Sequence, residues 1–149
     1  MSNLETYSET TFESIKHVNE FEQEYWSARE LANVLEYKDF RNFLVPVDKA
    51  MEACKNSGQN ISDHFGEATK MVSLGSGSER EVSDYHFSRY ACYLIVQNAD
   101  PSKEVVALGQ TYFAVKTRQQ ELIENYETLS EDQRPLAVRI LSPLRGQLL

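Results

Sequence analysis

The sequence predicts an α+β domain, a small antiparallel β-hairpin or sheet with four to five helices around a buried central helix. Three observations carry this expectation. Between residues 85 and 122 two long helical patterns follow one another; in the first, Phe87, Tyr90, Ala91 and Leu94 recur at helical spacing while Tyr93, Ile95 and Val96 make the other faces apolar. A helix apolar nearly all round belongs in a core. Residues 71–74 and 79–82 flank a Gly-Ser-Gly-Ser run, the pattern of a β-hairpin with a flexible tip. Finally, 149 residues, 41% of them hydrophobic, fill one core and are short for two.

Each element has its own justification. Residues 1–9 are rich in Ser, Thr and Glu and are expected to be disordered. Phe12, Ile15, Val18 and Phe21 then fall three apart, in a short helix or an irregular lead-in. Residues 1–24 thus form an acidic prelude to a domain over 25–129. Residues 24–26 read as a strand, and Ser27 with Glu30 forms a capping box opening a helix to about Glu36. Leu31, Ala32, Val34 and Leu35 face inward on that helix, and Trp26 is expected over its first turn. Phe40, Phe43, Leu44, Val47, Ala50, Met51 and Cys54 form a second stripe, ending at Gly58, with Pro46 expected to kink or restart it. Ser62 is expected to cap a single turn holding His64 and Phe65.

Beyond the central helix, Asn98 is expected to end it in a left-handed conformation. Asp100 and Pro101 then supply a cap and a first-turn proline, so a new helix starts at Pro101. Its Val105, Leu108, Tyr112, Val115, Gln119, Leu122 and Tyr126 alternate at spacings of three and four. This seam either meets the domain's own core or, past Lys116, forms a dimer or partner contact through Val115, Gln119, Leu122 and Tyr126. Residues 130–149, with Pro135, Pro143 and three arginines, read as a last helix or tail.

Composition and spacing exclude several chemistries. No stretch reaches the roughly 18 apolar residues of a membrane span, and the acidic start is unlike a secretory signal, so a cytoplasmic protein without membrane contact is expected. Cys54 and Cys92 sit in apolar helical patterns and read as small buried hydrophobes. His17, His64 and His86 fall in separate elements without zinc-site spacing, and no cofactor motif occurs. His86 and Ser88 point to different helix faces, so no catalytic triad is expected and the protein reads as non-enzymatic. Arg89 on an apolar helix calls for a structural ion pair.

The net charge of −8 is unevenly spread: residues 25–118 hold twelve acids against eleven bases, so the acidity lies in the flanks. A near-neutral body leaves room for local cationic contacts with phosphate. The candidates are Arg29, Lys38 and Arg41 near the first two helices, Lys70 and Arg80 on the hairpin, and Lys116 and Arg118 on the long helix. Residues 37–42 follow the first helix where a helix-turn-helix carries its reading element, but without a turn glycine, and Tyr37 and Phe40 either stack on a base or pack inward.

The runs SRYACYLIVQNADP (88–101) and GQTYFAVKTRQQEL (109–122) resemble the bacterial DNA-damage-inducible protein D family. The N-terminal part of that family is similar to the Bro-N domains of phage antirepressors and insect-virus proteins. The likeness extends more loosely from Trp26 to about Leu129, and family members usually continue past position 149 with a further helical region, which marks this ending as truncated or frameshifted. It implies a Bro-N-like fold and an SOS-type regulatory protein of the DNA-damage response that binds single- or double-stranded DNA. The alternative it implies is an antirepressor-like module acting on a repressor or a recombinase filament, with a homodimer also open.

Overall fold

The structure is a computed structural model that describes residues 11–126. The expectations for residues 1–9 and 130–149 therefore lie outside the described residues. Within them a four-stranded antiparallel sheet packs with five helices, the α+β arrangement the sequence predicts. In chain order these are β1 (His17–Val18), β2 (Glu24–Ser27), α1 (Ala28–Val34), α2 (Phe40–Asn56), the single turn α3 (Ile61–His64), β3 (Phe65–Ser73), β4 (Glu79–Phe87), α4 (Arg89–Asn98) and α5 (Glu104–Asn125). The sheet order is β1-β2-β4-β3.

The lead-in is part of the core from Phe12 onward. Phe12 is fully buried, and after a 3-10 turn (Glu13–Ile15) the chain enters β1, which pairs with β2. Trp26 stacks on Phe12, with ring centroids 4.6 Å apart and planes 9° from parallel, and donates its indole N–H to the Phe12 carbonyl at 3.0 Å. Phe12 is thus a partner of Trp26 that the sequence did not point to. Phe113 of α5 meets Phe12 edge-on at 5.1 Å, which ties the two ends of the described chain together.

Helix α2 packs along α4, burying Phe43, Val47, Ala50 and Cys54 against Ala91, Cys92, Ile95 and Val96. Pro46 neither stops nor restarts α2; the helix runs through it, with the ring buried. Gly58 adopts φ +84° just past the helix end, the left-handed residue expected there. Both cysteines are buried and free, and burial pushes the Cys92 thiol well up.

Several boundaries move, each for a local reason. Tyr85, His86 and Phe87 belong to β4, not to the central helix, because Tyr85 and Phe87 alternate with His86 and pair along β3. Ser88 then caps α4 by accepting from the Ala91 amide at 3.1 Å. Asn98 does not turn left-handed; it is the last helical residue, and its side-chain amide donates to the Leu94 carbonyl. Asp100 closes a turn on Ser102, accepting from its amide at 3.0 Å and its hydroxyl at 2.7 Å, so α5 starts at Glu104, three residues after Pro101. Asn60, not Ser62, caps α3, and Phe65 opens β3. The hairpin is much longer than its tip suggests, nine residues per strand in register from Phe65↔Phe87 to Ser73↔Glu79.

Candidate nucleic-acid interface

The start of α1 fixes the first group. Ser27 accepts from the Glu30 amide at 3.5 Å as the expected cap, but the Glu30 carboxylate does not complete the box. The anion at this helix start is Asp84 of β4, buried, which accepts from the Ser27 hydroxyl at 2.7 Å and the Arg29 amide at 3.0 Å. Glu30 instead bridges His17 at 2.6 Å and Lys70 at 2.7 Å. Burial opposes its charge, but the hydrogen bonds from Lys70 and His17 prevail and hold its carboxyl below the ordinary value.

Three of the seven candidate cations meet in one groove of about 260 Å³, lined by Arg29, Lys38 and Lys70 together with Glu30, Tyr37 and Val72. Arg29 is half-buried, donating to the Ser83 carbonyl at 2.6 Å with its guanidinium 4.1 Å from the centre of the Phe40 ring. Lys38 is exposed on the loop between α1 and α2. Arg80 stands exposed on β4 opposite Val72, whose side chain lines that groove. The other three lie apart. Arg41 closes on Asp39 at 3.1 Å, and this pairing holds the Asp39 carboxyl down and raises the guanidinium. Lys116 lies half-buried over Tyr112 at 5.9 Å, and Arg118 pairs with Glu121 at 2.9 Å. Tyr37 and Phe40 both pack on the core, and the Tyr37 hydroxyl accepts from the Asp100 amide at 3.0 Å. On α5, Leu122 is buried while Val115, Gln119 and Tyr126 are half-buried.

The strand register sorts the hairpin's charges. Cross-strand partners share a face, and faces alternate along a strand. Lys70, Val72, Arg80, Val82, Asp84 and His86 therefore lie on one face, and Glu67, Glu79 and Glu81 on the other. The acids beside Arg80 in sequence point away from it.

The same cationic face carries an aromatic ladder that sequence reasoning missed. His17 stacks on Tyr25 at 5.2 Å and 20°, and Tyr25 on His86 at 4.2 Å and 28°, one ring each from β1, β2 and β4. The available signal was the period-two alternation of residues 83–87, obscured by the helical spacing of Tyr90 and Leu94. Structure also pairs Ser88 with His64, at 2.7 Å, not with His86. That serine is occupied as the cap of α4. Among the described residues no cluster of three His, Cys, Asp or Glu side chains is placed to hold a metal, and no helix is long and apolar enough to cross a membrane.

Residues 14–114, which take in the groove, the hairpin and the ladder, match the model of the BRO family, N-terminal domain. The chain belongs to this family. It is similar to the DNA damage-inducible protein D of Escherichia coli (strain K12), with 49% identity over 130 residues. The alignment takes in 86% of this chain and 47% of that protein, so the chain spans about half the length of the relative. No solved structure matches it.

Proposed function

We propose that this BRO-family domain is a non-enzymatic, cytoplasmic regulator in an SOS-type DNA-damage response and that it binds DNA through the cationic face of its hairpin. The observation that carries the reading is the charge segregation. The register sets Lys70 and Arg80 on one face and three glutamates on the other, and α1 and its following loop add Arg29 and Lys38 to the groove beside Lys70, against the one carboxylate of Glu30 that bridges Lys70 there. Phosphate contacts need local cations and not a basic protein, so a chain of net charge −8 can bind through such a face. The likeness to a DNA damage-inducible protein supports the biological setting.

The test is fluorescence anisotropy of labelled single- and double-stranded DNA titrated with the 149-residue protein at two salt concentrations. Saturable binding that weakens with salt, and weakens further in Lys38→Ala, is the expected result. No binding at roughly tens of micromolar protein would overturn the reading. In that event the antirepressor-like alternative takes its place, with a repressor or recombinase partner engaged through α5.

A further inference from the structure

We propose that the open end of the His17–Tyr25–His86 ladder, above Gly66, is a stacking site for an unpaired base of single-stranded DNA. This deepens the DNA-binding reading and rests on it. The three rings climb the sheet strand by strand, and the next strand in the order is β3. Its residue opposite His86 is Gly66, which carries no side chain to cover the imidazole. His86 is correspondingly exposed. The ladder thus has three filled rungs and a vacant fourth.

The backbone does not demand glycine there. Gly66 has no positive φ, and a Cβ at this position would meet only the His86 carbonyl oxygen, at 3.6 Å, an ordinary contact. Glycine inside a strand weakens it, and close approach of a ligand is one of the reasons such a glycine is kept. The ligand that fits is flat and π-faced, since it must continue a stack of rings. Every nucleobase has such a face, and a base freed from a duplex can be splayed onto an aromatic platform.

The charges on this face suit the strand that would carry the base. Lys70 lies four residues along β3 from Gly66, about 13 Å at strand spacing, with Arg80 further along on β4. Asp84, the acid of β4 on this face, is buried and committed to Ser27 and the Arg29 amide. Glu30 of α1 also reaches this face, bridging His17 and Lys70, so a backbone running along the hairpin from a base at Gly66 passes Arg80 and takes Lys70 in competition with Glu30.

The experiment compares a labelled oligothymidylate with an abasic oligomer of the same length and phosphate count, using wild type, His86→Ala and Gly66→Val. Wild type is expected to bind the oligothymidylate about tenfold tighter than the abasic strand. His86→Ala removes the stacking ring and Gly66→Val fills the rung; each is expected to abolish that difference. Valine favours strands, so Gly66→Val should keep its circular dichroism and a melting temperature no lower than wild type. Equal, salt-sensitive binding of both oligomers by wild type, or variants that retain the preference for bases, overturns the stacking site and leaves phosphate binding standing. No binding of either oligomer overturns both readings.

Discussion

Arg89 shows at the scale of one residue how this sheet is joined to its helices. Its guanidinium lies 2.7 Å from Glu24 of β2 and 2.9 Å from Glu13 of the lead-in, and 5.0 Å from the centre of the Trp26 ring. These hydrogen bonds raise its own pKa, that to Glu24 most of all, and the same contact holds the Glu24 carboxyl below its ordinary value against the opposing effect of burial. Arg89→Ala leaves both half-buried carboxylates with only the longer contacts to Lys16, at 3.9 Å for Glu13 and 4.0 Å for Glu24. The expected loss, reduced because about a third of each side chain still meets solvent, is about 2 kcal/mol by urea unfolding at neutral pH. The pH dependence has a definite sign. A carboxyl depressed in the folded state contributes stability above its unfolded pKa and loses it as pH falls through the folded value. Wild type should therefore lose stability more steeply than Arg89→Ala between about pH 5 and pH 3. Parallel acid limbs in urea titrations stepped across that range would mean that the ion pairs contribute nothing. The need for a partner at Arg89 was legible in the sequence, because a lone charge stood on an apolar helix. Which carboxylates answered it was not, since Glu13 and Glu24 lie 76 and 65 residues away.

Among the elements, the hairpin separates what a charge count merges. Arg80 and Glu81 are neighbours, both exposed, yet the register places them on opposite faces. Arg80→Ala is expected to weaken DNA binding about five- to tenfold and to lower the salt slope by about one. Glu81→Ala shifts net charge by as much in the other direction and should change affinity by less than about twofold. If it strengthens binding as much as Arg80→Ala weakens it, the protein responds to overall charge and not to a face. Sequence patterns located this hairpin by its Gly-Ser tip and α1 by Ser27, because turns and caps are written in a few adjacent residues. They missed the first half of β3, where Phe-Gly-Glu-Ala-Thr-Lys has little of the β-branched alternation of a strand. They also carried β4 into α4, since Phe87 keeps helical spacing with Tyr90 and Leu94. The second error hid the ladder, whose rings come from β1, β2 and β4, and the first hid the glycine opposite its last ring.

On the scale of the whole molecule, the described body is closed by contacts between its two ends. Phe12 precedes every strand and Phe113 lies deep in α5, yet the two rings meet edge-on at 5.1 Å, with Trp26 also stacked on Phe12. Phe113 also meets Tyr93 of α4, with centroids 4.2 Å apart and planes tilted by 35°, so one aromatic cluster joins lead-in, sheet, α4 and α5. Cooperative unfolding follows from such a cluster, because removing its central ring loosens every element at once. Phe12 is fully buried, so Phe12→Ala is expected to cost about 3–5 kcal/mol. Trp26 is the chain's single tryptophan, and its fluorescence reports the packing at Phe12 directly. Urea unfolding followed by that fluorescence and by far-ultraviolet circular dichroism should show coincident transitions in wild type and a common shift to lower midpoint in Phe12→Ala. A variant whose fluorescence transition moved while the helical signal kept its wild-type midpoint would show that the lead-in unfolds separately, with α5 held by other contacts.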